Sequence, residues 1–258
     1  MLWLLQIPAP ILGVLWVTLF VSLSVGGLVL FRKVVSHKRF EGSNAVSGSV
    51  FQLAGVLYAV LVAFLVVVVW EQFGDAEDAS SLEAAAIGDL LRDSEALPVE
   101  SRGLIQQSLI AYTENVVDEE FPRMRRGERI EDQSDELFAV WESYLQVQPE
   151  TRNEIAFFDH AIGRLNDLSA DRKLRVSTAD ASVPTPLWIL LLGGGGVVMV
   201  FTFLFGTRDL FVHALAVGLT SALLAFVMYL IFLLEHPYVG ELSVQPTPYV
   251  NVLEVWSQ

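Results

Sequence analysis

The sequence predicts an all-α integral membrane protein: four transmembrane helices, with an α-helical soluble domain inserted between the second and third. Three observations predict it. Four apolar runs of membrane-spanning length account for a chain that is 53% hydrophobic and only 18% charged, where soluble domains carry about 25% charged residues. The charge is segregated: between Glu71 and Val183 there are 25 acidic and 11 basic residues, so the whole net charge of −14 sits there. That acidic stretch shows helical periodicity throughout, with no strand-type alternation and no internal repeat. The divisions expected are 1–70 for membrane helices 1 and 2, 71–183 for the acidic helical domain, 184–234 for membrane helices 3 and 4, and 235–258 for a C-terminal tail.

Membrane helix 1 is expected over Ile11–Phe31. At 1.5 Å per residue its roughly 20 residues cross a hydrocarbon core of about 30 Å. The N-terminus lacks a basic region, so this run reads as a retained helix rather than a cleaved signal. Arg32, Lys33, Lys38 and Arg39 follow, opposed only by Glu41. The positive-inside bias places that loop in the cytoplasm and the acidic domain outside, in a bacterial inner membrane; Arg172, Lys173 and Arg175 before helix 3 pull the other way.

Membrane helix 2, Val50–Trp70, continues into Glu71 with no turn signal. Gly55, Ala59 and Ala63 form a small-residue stripe, the kind that lets helix backbones approach in lipid. Helical period persists to Ala96, where Leu97-Pro98 ends the run. Three more soluble helices follow: Val99–Phe121, broken by Pro122 and Gly127; Asp132–Val147; and Glu150–Val176. Together they form a bundle of about four helices. Helix 3, Leu187–Phe205, carries the run Gly193–Gly196, which reads as a site of tight helix packing. Helix 4, Leu210–Leu234, follows a short hairpin, so helices 3 and 4 are antiparallel neighbours. Its own stripe, Ala214, Gly218 and Ala222, suggests packing against the stripe of helix 2. The tail ends in Val252, Leu253, Val255 and Trp256, placed either on the membrane surface or against the acidic domain.

Enzyme chemistry finds no footing. There is no cysteine, which excludes thiolate nucleophiles, Cys zinc sites and disulfides. His37, His160, His213 and His236 lie in separate segments with no metal-type spacing. Phosphate loops and nucleophile elbows are missing. Asp118-Glu119-Glu120 reads as a solvated face. No cofactor and no metal are expected, and the acidic surface disfavours nucleic acid. Intramembrane polar residues, the usual mark of a proton-coupled carrier, are scarce: only His213 lies a turn inside a membrane helix.

Several blocks resemble the bestrophin-like membrane family of bacteria and plants. They are LYAVLVAFLVVVVWEQF (Leu57–Phe73), EAAAIGDLLR (Glu83–Arg92), YTENVVDEEFPRM (Tyr112–Met124), DRKLR (Asp171–Arg175), PLW (Pro186–Trp188) and EHPYVG (Glu235–Gly240). The sequence departs from the family pattern at Phe121, where Trp is commoner. The resemblance implies a relation to bestrophins, pentameric anion channels with a helical domain between two pairs of membrane helices and a hydrophobic neck on the second. In bestrophins that domain is cytosolic, and no acidic run like their calcium clasp follows helix 4 here.

The expected function is therefore passive ion conduction by a homo-oligomer in the lipid bilayer, with helix 2 lining the pore. Val66, Trp70 and Phe73 are the candidate constriction, and Glu71, Asp75 and Asp78 the candidate mouth. Rings of carboxylates concentrate cations, whereas the family resemblance implies anions. The alternative is a non-conducting envelope sensor or scaffold whose acidic domain binds a partner.

Overall fold

The computed structural model describes residues 2–35 and 44–256. His37, Lys38, Arg39 and Glu41 lie outside the described residues. The chain divides into two compact units. An apolar unit comprises Ile7–Glu71 and Ser182–Glu235; an acidic unit comprises Met1–Gln6, Gln72–Ala181 and His236–Gln258. Helix α2 (Asn44–Ser94, 51 residues) contributes to both.

The apolar unit holds α1 (Ala9–Val34), the first part of α2, α7 (Thr185–Phe203) and α8 (Leu210–Leu234). Pro10 and Pro186 sit in the first turns of α1 and α7, where a missing N–H costs nothing because it would have no helical partner. Asp209 caps α8, accepting from the N–H groups of Phe211 and Val212 at 2.8 and 3.3 Å. Packing joins small residues to large ones. A Cβ at Gly13 of α1 would come within 2.9 Å of the Tyr229 ring of α8, and Gly218 of α8 faces Val21 and Val25 of α1. Trp16 stacks on Phe20 and Phe232 at 5.4 and 5.5 Å. The ring of Tyr58 on α2 lies over Gly194 of α7, where any Cβ would meet it at 2.7 Å. The Tyr58 hydroxyl donates to the Leu191 carbonyl at 2.9 Å. Gly194 and Gly195 thus leave the space that the Tyr58 side chain occupies.

This arrangement corrects the pairing expected from the two stripes. The Gly218 stripe of α8 meets α1, not α2. On α2, Ala59 and Ala63 are exposed, and a Cβ at Gly55 would meet nothing within 4 Å. Matching small to small left no side chain to fill the groove; the structure uses valines and a tyrosine.

In the acidic unit, α2 ends at Ser94 ahead of Pro98 and α3 runs from Val99 to Asn115. Pro122 does not end the helical path, as its sequence context suggested. A widened π-type turn, Val116–Glu120, leads into a short α4, Phe121–Arg125. Proline clashes with a carbonyl one α-turn back, and the wider turn relieves that clash. Helix α5 (Asp135–Leu145) starts where the Ser134 hydroxyl accepts from Leu137 N–H. Helix α6 (Arg152–Ala179) starts at a Thr151/Glu154 capping box, each cap contributing about 1 kcal/mol. The core is built on Ile87, Leu90 and Leu91 of α2, Ile105 and Leu109 of α3, and Leu165 and Leu168 of α6. Burying each such side chain contributes about 1.5–3 kcal/mol.

The tail folds as α9, Thr247–Trp256. Tyr249 is fully buried, and Val252 and Trp256 pack against the same core, while Val255 stays exposed. Of the two placements open to the tail, docking on the acidic unit is the one observed. Gly240 adopts φ +85°, and a Cβ there would lie 2.5 Å from the Leu5 carbonyl oxygen, so only glycine fits this turn.

Candidate functional site

Two constellations concern function: the faces of α2 and a buried ionic cluster in the acidic unit. Around α2, the buried positions Tyr58, Leu65, Val69, Ala76 and Glu83 share one face. Two other faces are open. One carries Leu53, Leu57, Phe64 and Val67, then Glu71, Asp75 and Asp78, all exposed. The other carries Gly55, Ala59, Ala63, Val66 and Trp70, with Phe73 below them. At 100° per residue the two open faces lie about 130° apart. On an ideal helix the candidate constriction and the candidate acidic mouth therefore fall on different faces of α2. Trp70 is 67% exposed, Val66 is half-buried, and Phe73 packs in part against the acidic unit's core.

The second constellation was missed in the sequence. Arg175 of α6 is fully buried. Its guanidinium forks onto Glu83 of α2 at 2.6 and 3.1 Å and reaches Glu120 at 2.6 Å. Arg172, one turn earlier, pairs with Glu120 at 2.8 Å and donates to the Glu131 carbonyl at 3.1 Å. The Tyr112 hydroxyl donates to Glu83 at 2.6 Å. Rings close the cluster: the Arg175 guanidinium lies 5.7 Å from the Phe121 ring and 6.0 Å from Tyr249, and that of Arg172 lies 5.9 Å from Tyr112. Two cations and two carboxylates leave the cluster neutral, the condition under which buried charge is tolerated.

Charge states follow from this geometry. Burial works to raise the Glu120 pKa, but Arg175 and Arg172 outweigh it and hold the carboxyl below its usual value. Burial opposes the Arg175 charge, yet Glu83 and its other neighbours keep its pKa well above the ordinary value. Burial also drives the Tyr112 and Tyr249 hydroxyls upward, so both stay protonated.

Glu120 is thus no solvated acid. The π-type turn brings it onto the inner face beside Val116 and Phe121. Likewise Arg172 and Arg175 are not flanking charges of a membrane helix. The signal was present: blocks 83–92, 112–124, 171–175 and 235–240 each supply a side chain to this core, the last through Tyr238, whose hydroxyl donates to the Ala76 carbonyl at 2.8 Å. Outside this cluster, the buried acid Glu235 accepts from Val183 N–H at 3.0 Å and the Trp188 indole at 2.9 Å, fixing the entry to α7. Among the described residues no group of three or more metal-ligating side chains forms.

Four helices long and apolar enough to cross a membrane, with a helical unit built on buried ion pairs, define an α-helical membrane protein. The chain belongs to the bestrophin-like family, whose domain model matches residues 18–249. Solved structures share the fold. A point variant described as a membrane protein superposes with a TM-score of 0.70 at 15% identity, covering 94% of this chain and 99% of that one. Two point variants of a bacterial bestrophin homologue from Klebsiella pneumoniae give 0.68 at 15% identity, covering 94% and 99%, and 0.66 at 16%, covering 94% and 97%. No curated protein matches the chain.

Proposed function

We propose that this chain is one subunit of a homo-oligomeric membrane ion channel with α2 around the axis. One observation carries the reading. Among the described residues nothing packs on Gly55 within 4 Å, Ala59 and Ala63 are exposed, and this stripe shares its face with Val66 and Trp70. Small side chains on a membrane helix suit close approach to other helices; large ones such as Leu53, Leu57 and Phe64 suit lipid. A ring of α2 helices presenting the small face inward is narrowed by Val66 and closed by Trp70, an apolar constriction of the kind that gates by dewetting. Family membership supports the channel class. Glu71, Asp75 and Asp78 then point away from the axis, which removes the electrostatic case for cations and leaves the family's anion preference as the working selectivity. Partners are inorganic ions, the bilayer and further copies of the chain.

Single-channel recording of the purified protein under a salt gradient tests this. Trp70→Ala should raise conductance, and replacing Glu71, Asp75 and Asp78 by Gln and Asn should leave the reversal potential unchanged. Unaltered conductance in Trp70→Ala with a shifted reversal potential in the triple variant would put the acidic face on the axis instead. A closed, packed axis in single-particle images would favour the scaffold reading. On orientation, the basic loop after α1 and the family relation point to opposite sides. Labelling a cysteine introduced at exposed Glu77 decides between them.

A further inference from the structure

Within the apolar unit, α1, α7 and α8 line a half-open cavity of about 250 Å³. Its mouth lies between α1 and α7, at the exposed residues Leu23, Leu192 and Gly196. Its floor is buried and includes Ser221 and Met228 of α8. We propose that this cavity is a binding site for one acyl chain of a bilayer lipid, entering sideways between α1 and α7.

The chemistry selects that occupant. The lining holds no charged residue, and its two serine hydroxyls, Ser24 and Ser221, bond each other at 2.8 Å. A polar ligand finds little to replace its water, while hydrocarbon gives up nothing. The volume exceeds the roughly 150 Å³ of an apolar cavity known to bind benzene. At the mouth a Cβ at Gly196 would meet nothing within 4 Å, whereas one at Gly194 would meet Tyr58 and one at Gly195 would meet Met228 and Tyr58. Glycine weakens a helix relative to alanine, and here its bare surface widens the entrance. All three helices are apolar enough to cross a membrane, so the medium at the mouth is itself hydrocarbon.

Photo-crosslinking of the full chain in vesicles tests this, using phosphatidylcholine with a diazirine near the end of one acyl chain. Crosslinks are mapped by peptide mass spectrometry. The inference rests on membrane placement of the helices and not on conduction; labelling of exposed Leu15 on α1 checks that placement in the same sample. Labelling is expected at buried Ser221 and Met228, which surface lipid does not reach. Gly196→Leu, whose Cβ meets nothing within 4 Å and whose side chain narrows the mouth, should lower it to background. Gly193→Leu, on open surface away from the cavity, should not. Leu192→Trp at the exposed rim is a second plug should the first variant fold poorly. Absence of label at Ser221 and Met228 while Leu15 is labelled overturns the site, as it would if another copy of the chain covers the mouth. Equal labelling in the plugged and unplugged variants overturns it as well.

Discussion

Removing Arg175 is the sharpest test of the buried cluster. In Arg175→Met the side-chain volume is roughly kept, but Glu83 loses both guanidinium contacts and retains only the Tyr112 hydroxyl. Glu120 keeps Arg172, so the net change is one uncompensated carboxylate in a site with no exposed surface. Breaking one partner of such a pair costs about 3–5 kcal/mol. For a unit of this size, at about 2–4 °C per kcal/mol, the acidic unit should melt roughly 6–20 °C lower. Glu83→Gln alone leaves the opposite imbalance and should also destabilise. Combining the two removes one charge of each sign, leaves Glu120 paired with Arg172, and should recover about 1–3 kcal/mol of the summed loss. Thermal unfolding of the four proteins in detergent, with hydrogen exchange on α6 amides, reads the cycle. A single variant within about 1 kcal/mol of the parent, or losses that simply add, would show that the pair is not the coupled, desolvated unit described.

Other outcomes follow from the same geometry. Because the Glu120 pKa is lowered on folding from 4.5, its contribution is complete above the unfolded value and is lost as pH falls through the lower folded value. Arg175, with its pKa raised well above the ordinary arginine value, stays charged and contributes fully throughout this range, so melting temperature should be flat between about pH 6 and 8 and fall below about pH 4.5. Tyr249→Ala removes a fully buried ring and should cost about 3–5 kcal/mol, with early exchange of the α9 amides as the local signature. Gly194→Ala sets a methyl against the Tyr58 ring and should reduce the yield of folded protein, whereas Tyr58→Phe, losing one hydrogen bond, should cost only about 0.5–1.5 kcal/mol. Yield and melting temperature in detergent compare them.

Spans and soluble helices were legible because hydropathy and helical period are local properties of the chain. Pro98 ended α2 as expected since nothing in its surroundings relieved it. Pro122 was misread because a π-type turn, chosen by the packing of Glu120 and Phe121, is not written in the residues around it. Glu120, Arg172 and Arg175 looked like surface charge since ion pairing across 52 or 55 positions leaves no short-range mark. The helix pairing failed for a related reason: a stripe of small residues says that something approaches closely, not whether the partner is small or large. That Trp70 and Glu71 fall on different faces of α2 follows from the helical step alone, since adjacent residues point 100° apart.

The core of the acidic unit is closed by a helix that the ribosome delivers only after all four apolar ones. Tyr249 lies beyond α8 in the chain, so Arg175, Glu83 and Glu120 are synthesised before the ring that covers them exists. The acidic unit therefore completes its fold only after all four apolar helices have left the ribosome and been handed to the membrane. A nascent chain stalled after α8 should hold a protease-sensitive acidic unit, and insertion of the apolar helices cannot wait for that unit to be finished.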